Sequence, residues 1–205
     1  MLSLPSARRL LLALMIAVGV AMAAPAPSHA GPIENALEAL DREDYQTALK
    51  ILRPMAEQGV AEAQYHLAIM YEHGEGVLQD YKESARWYRA AAEQGYDLAQ
   101  TNLGWMYHNG NGVPQDYKEA VRWYRAAAVQ GDAVAQSNLA LSYHTGEGIP
   151  QDPVRAHMWA NIAAANGESK ENRDHIAEDL TPSQLEQATE MAKRCMASNY
   201  KDCGD

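Results

Sequence analysis

Displacing the chain by 36 residues lays it on itself. Gly59, Gly95, Gly131 and Gly167 superimpose, as do Tyr71, Tyr107 and Tyr143, and Trp87, Trp123 and Trp159. Gly74-Glu75-Gly76 falls on Gly110-Asn111-Gly112 and Gly146-Glu147-Gly148, and Gln79-Asp80 on Gln115-Asp116 and Gln151-Asp152. A fixed period of this length marks an array in which each unit buries its apolar face against its neighbours, rather than a fold closed around a single core. Three full units follow, 60–95, 96–131 and 132–167. A degenerate half precedes them, because Asp44-Tyr45 stands as far from Gly59 as Asp80-Tyr81 does from Gly95. Terminal units of such arrays are atypical. Residues 31–59 are therefore expected to form an N-terminal capping hairpin and 168–205 a C-terminal helical cap.

Each unit reads as two helices. The first spans about 61–73, 97–109 and 133–145. In the middle copy Ala99, Leu103, Gly104 and Tyr107 recur at three-to-four spacing, one apolar face of a helix. Gly104 is small, like Ala68 and Ala140 at its equivalent positions, so the partner helix can come close. The Gly-x-Gly loop ends this helix, because glycine accepts the left-handed conformation of a C-cap. The second helix starts at Asp80, Asp116 or Asp152. Asp80-Tyr-Lys-Glu83 and Asp116-Tyr-Lys-Glu119 fit a capping box, and Pro153 suits a first helical position. Lys82, Arg86 and Arg89, repeated as Lys118, Arg122 and Arg125, are placed by helical angle opposite Tyr81, Ala85, Tyr88 and Ala92. They are expected to face solvent, with Glu83 and Glu119 pairing to Arg86 and Arg122.

The middle unit, Ala99–Gly131, carries Ala-x-x-x-Leu-Gly-x-x-Tyr-x-x-Gly-x-Gly-Val-x-x-Asp, then Ala-x-x-Trp-Tyr-x-x-Ala-Ala-x-x-Gly. This pattern resembles the Sel-one-like repeat of the tetratricopeptide-like α-solenoids, and the resemblance covers about 44–167. The tail from Met158-Trp-Ala-Asn161 to Leu180-Thr-Pro-Ser-Gln184 is similar to the C-terminal cap of bacterial members. The first unit departs most: Ile51 and Leu52 stand where Trp and Tyr belong, and Pro54 is expected to interrupt the helix. The resemblance implies an all-α fold, a right-handed α-solenoid of helix-turn-helix repeats closed by a C-terminal helical cap. It also implies a non-catalytic scaffold that holds a protein or peptide partner, in a family whose bacterial members are often exported to the periplasm.

Export has its own signal. Residues 1–30 combine a basic start with Arg8 and Arg9, an apolar run from Leu10 to Ala24, and Ser28-His29-Ala30 as a small-x-small cleavage site. This is the layout of a secretory signal peptide cut after Ala30, the run being short of the roughly 20 residues that span a bilayer. The mature chain is expected to be periplasmic or secreted and not inserted in a membrane. Losing Arg8 and Arg9 leaves 15 basic against 27 acidic residues, a net −12. That balance argues against a nucleic-acid partner, which needs clustered positive charge.

Candidate chemistry is sparse. No strand precedes the Gly-x-Gly loops and no Lys-Ser/Thr follows them, so they are turns and not phosphate loops. His108 and His144 lie one repeat apart, and stacked helices hold such positions roughly 10 Å apart, too far to share a metal that bonds each imidazole at about 2 Å. No metal and no cofactor are expected. Ser198-Asn-Tyr-Lys201 matches the Ser-x-x-Lys motif of serine β-lactamases without its companion motifs. It keeps a cell-wall-related or β-lactam-binding hydrolase as the alternative function. Cys195 and Cys203 are expected to form a disulfide in an oxidising compartment, closing a short loop worth ~2–3 kcal/mol in the entropy model. They lack the Cys-x-x-Cys spacing of a redox pair.

The partner surface follows from the first helices. In solenoids of this class these line the concave side. With Ala99, Leu103, Gly104 and Tyr107 packed, Thr101, Asn102, Trp105 and His108 point away. Their equivalents are Tyr65, His66, Ile69 and Glu72 before, and Ser137, Asn138, Leu141 and His144 after. These positions vary between units while the packed face repeats. Ile69, Trp105 and Leu141 thus form an apolar stripe flanked by Asn102, His108, Asn138 and His144. An exposed Trp with such a rim suits an interaction hot spot.

Overall fold

The computed structural model describes residues 31–203; the leader read at 1–30 lies outside them. Among the described residues there are ten helices and no strand: α1 (Pro32–Asp41), α2 (Tyr45–Glu57), α3 (Ala61–His73), α4 (Tyr81–Ala92), α5 (Asp97–Asn109), α6 (Tyr117–Ala128), α7 (Ala133–Thr145), α8 (Pro153–Ala165), α9 (Glu171–Ala177) and α10 (Pro182–Ala197). Each packs on the next from α1 to α9, while α10 returns onto α8. The result is a helical solenoid.

Local chemistry sets the helix ends. Asp80 and Asp116 are N-caps whose carboxylates accept from two backbone amides each. The reciprocal half of the expected capping box is not formed. Glu83 and Glu119 turn instead to Arg86 and Arg122, at 2.8 and 3.0 Å. A full box forms at Thr181 and Gln184, starting α10. Gly74, Gly110 and Gly146 end α3, α5 and α7 in the left-handed region. Contrary to expectation, Pro54 does not interrupt α2; it sits exposed in the last turn, and the helix runs on to Glu57.

The core is built of small residues with a few large ones between them. Alanines on facing helices permit close approach. Leu67, Leu103 and Leu139 are fully buried in α3, α5 and α7, and Trp87, Trp123 and Trp159 are buried in α4, α6 and α8. The basic stripe divides. Lys82 and Arg86 face solvent, with Arg86 over the Trp87 ring. Arg89 and Arg125 do not; they reach across to the hydroxyls of Tyr107 and Tyr143.

Amides stitch the seams as well. Buried Gln64, Gln100 and Gln136 donate to the carbonyls of Ala56, Ala92 and Ala128. They accept from Gln94, Gln130 and Asn166. At the C-terminal end, Cys195 and Cys203 form a disulfide, and Asn166 donates to the hydroxyl of Tyr200.

Candidate partner-binding groove

The first helices present a face on which Trp105, 42% exposed, stands between two depressions. The first, of about 410 Å³, is lined by Tyr65, Ile69, Glu72, His73, Tyr88, Asn102 and Trp105. The second, of about 170 Å³, is lined by Trp105, His108, Asn109, Tyr124, Asn138, Leu141, Ser142 and Glu147. Both arise in the same way. Successive first helices form the walls, and a tyrosine of the second helix, Tyr88 or Tyr124, reaches between them to the floor.

The two floors differ in polarity. In the first, Tyr88 donates a 2.7 Å hydrogen bond to Glu72 Oε2 and accepts one of 3.0 Å from Asn102 Nδ2. Burial, and then the bond to Glu72, push the Tyr88 hydroxyl far above the usual tyrosine range, so it keeps its proton. Tyr65 is also raised, chiefly by burial, and packs its ring 5.9 Å from Tyr88 and 5.2 Å from Tyr96. In the second depression His108 stands where Glu72 stood, and burial alone raises Tyr124.

Six of the seven residues expected on this face, Ile69, Asn102, Trp105, His108, Asn138 and Leu141, line the depressions. His144 lies elsewhere. It sits beneath α9, with its ring 5.7 Å from His175 and its Nε2 3.9 Å from Asp179. Asn172 Nδ2 also donates to Ser137 Oγ at 3.0 Å, so α9 lies against α7 and bounds the face at this end. Thr101 is buried and donates to Asp132, the N-cap of α7. Helical angle sets Tyr88 opposite the basic stripe, on the packed side, and Tyr124 is its equivalent one unit on. Their rings do pack, but their hydroxyls belong to the groove; a hydroxyl on an otherwise apolar face was the available signal.

The other candidates take structural roles. Ser198 Oγ donates to the Cys195 carbonyl and accepts from the backbone amides of Lys201 and Asp202, closing the turn after α10. Among the described residues no set of three His, Cys, Asp or Glu is placed to hold a metal ion, and no helix is long and apolar enough to cross a membrane.

The Sel1 repeat family matches residues 37–60, 61–96, 97–132 and 133–168. This chain belongs to the Sel1 repeat family. Sel1 repeats typically mediate protein–protein interaction. Among solved structures, the chain is similar to a protective antigen present in uropathogenic Escherichia coli strains that displays an SLR fold. The two share 40% identity and a TM-score of 0.65 over 67% of this chain, which spans only 30% of the antigen's length. It is also similar to a Sel1 repeat protein from Oxalobacter formigenes, at 40% identity and TM-score 0.58 over 63% of this chain and 97% of that one. A comparison with curated proteins finds no match.

Proposed function

We propose that this Sel1-repeat chain is a non-catalytic scaffold of the bacterial periplasm, exported by the leader at 1–30, which docks an extended protein segment along the concave face of α3, α5 and α7. One observation carries the reading. Trp105, outside both buried core clusters, forms the ridge between two depressions that share a tyrosine and an asparagine but differ at Ile69, Trp105 and Leu141 and at Glu72 and His108. A large aromatic side chain free of core duties is the residue type that dominates binding hot spots. The disulfide supports an oxidising compartment.

The test is crosslinking from a photoreactive residue at position 141 in envelope extracts, with binding of the captured partner then measured for wild type and Trp105→Ala. The variant is expected to lose about 2 kcal/mol or more of affinity, the hot-spot range, with helicity and melting temperature nearly unchanged. Unfolding of Trp105→Ala without a separate loss of affinity overturns the assignment. N-terminal sequencing of periplasmic protein is expected to begin at Gly31; full-length protein confined to the cytoplasm overturns export.

A further inference from the structure

The first depression has an arrangement that the second lacks, a carboxylate bonded to its floor tyrosine beside a second tyrosine ring. Tyr65, Tyr88 and Trp105 surround it, and Glu72 supplies the single carboxylate among its lining residues. Aromatic faces carry partial negative charge and attract a cation within about 6 Å of the ring centre. The carboxylate is held in place: Oε2 accepts the Tyr88 hydroxyl proton, and Asn102, by donating to the same hydroxyl, directs that proton at Glu72. The lining holds no arginine or lysine, and on α4 Arg86 pairs with Glu83 and Arg89 donates to Tyr107. A carboxylate in such a site is stabilised by a counter-charge.

Repetition shows which part of the pocket is particular to it. Tyr88 recurs as Tyr124 and Asn102 as Asn138, but Glu72 becomes His108 and then His144. The frame is shared by successive units, and a carboxylate bonded to the floor tyrosine is found in this pocket; the carboxylate that lines the second depression, Glu147, comes from the loop after α7. Residues 31–205 carry a net −12, which draws basic segments toward the molecule before any contact forms.

We propose that the depression between α3 and α5 is a cation pocket, which takes a lysine or arginine side chain of the docked segment over the rings of Tyr65 and Trp105, its charge against Glu72. This deepens the groove reading and rests on it. The partner is a basic segment, and the carboxylate fixes where along the groove its cationic side chain sits.

Trp105 provides the readout. The chain has four tryptophans, and Trp87, Trp123 and Trp159 are buried, so a change in accessible tryptophan emission reports position 105. The probes are pools of acetylated, amidated octapeptides with randomised flanks and one fixed central residue: lysine, arginine, or norleucine as the uncharged analogue of lysine. The assay is run at a single fixed pH of 8 for all pools and variants. The lysine and arginine pools are expected to half-saturate at about tenfold lower concentration than the norleucine pool. Glu72→Gln, whose amide oxygen still accepts from Tyr88, is expected to remove most of that preference. Equal half-saturation by all pools, with binding lost in Trp105→Ala, overturns the cation pocket and leaves the groove reading standing. A preference for lysine that survives Glu72→Gln overturns the role of Glu72 and with it the proposal. No emission change with any pool overturns both readings.

Discussion

Arg89 donates a 2.7 Å hydrogen bond to the hydroxyl of Tyr107, eighteen positions further along the chain. The bond joins α4 of one unit to α5 of the next. It recurs from Arg53 to Tyr71 at 3.2 Å and from Arg125 to Tyr143 at 2.9 Å, so one interaction is copied at three successive seams. A solenoid coheres only through neighbouring contacts, which makes a bond across a seam matter to the whole array.

Tyr107→Phe removes the acceptor and keeps the ring. A hydrogen bond to a charged donor contributes about 1.5–3 kcal/mol when well formed; with Arg89 only half-buried, the expected loss is about 1 kcal/mol. Tyr71→Phe is expected to cost less, because Arg53 is exposed and its bond is longer. Urea midpoints of the two variants check the order. Equal midpoints for wild type and Tyr107→Phe would show that the seam bond adds no stability.

Most of the repeat architecture is legible because apolar residues recur at helical spacing and glycine stops each first helix. What was missed lies in long or polar side chains. Helical angle places Arg89 beside Arg86, but says nothing of a long side chain turning back across a seam. Gln64, Gln100 and Gln136 also recur every 36 residues. Apolar periodicity does not mark them, although a polar residue repeated in register on the inner face signals a buried hydrogen bond. Of the groove, Ile69, Asn102, Trp105, His108, Asn138 and Leu141 could be read by subtracting the repeating face from the helix. The position of His144 could not, because α9 lies outside the period and nothing in a repeat encodes the path of the segment that follows it.

The two glycines of each loop do different work. Gly110 and Gly112 both have positive φ, +74° and +70°, where a side chain is strained by roughly 1–2 kcal/mol. A Cβ at Gly110 would meet Cβ of Gln115 at 3.3 Å, which a small shift relieves. A Cβ at Gly112 would collide with the Tyr81 carbonyl, backbone of the preceding unit. Gly110→Ala is therefore expected to cost about 1 kcal/mol, and Gly112→Ala about 3 kcal/mol or more, since overpacking adds to the strain. Thermal melts by circular dichroism decide it; a Gly110→Ala melt as low as that of Gly112→Ala would refute the seam contact.

The disulfide holds a tail that touches the last full unit. Tyr200 accepts from Asn166 at 2.8 Å, and Asn166 also donates to the buried Gln136. Cys195→Ser/Cys203→Ser is expected to lose about 2–3 kcal/mol, the entropy-model value for a short loop. The same loss is expected on reducing the wild type, and hydrogen exchange is expected to rise first in α10. Two free thiols per chain in unreduced protein would contradict the bond.

His157 predicts how stability responds to acid. It is buried in α8, with Nδ1 3.1 Å from the amide nitrogen of Asn161, which fits an unprotonated nitrogen accepting. Burial, and then the charge of Arg173, lower its pKa below the ordinary value of 6.5. The unfolded chain takes up the proton near that ordinary value, so between the two pKa values the unfolded state holds more protons than the folded one. The contribution to stability is complete above about pH 6.5 and is lost as pH falls through the folded pKa. His66, lowered chiefly by burial, has the same sign. The melting temperature of the wild type is expected to fall between pH 7.5 and pH 5. His157→Gln, although less stable at pH 7.5, is expected to fall by a smaller amount over that range, and adding His66→Gln to shrink it further. Identical pH dependence in the wild type and the double variant would show that neither imidazole carries the effect.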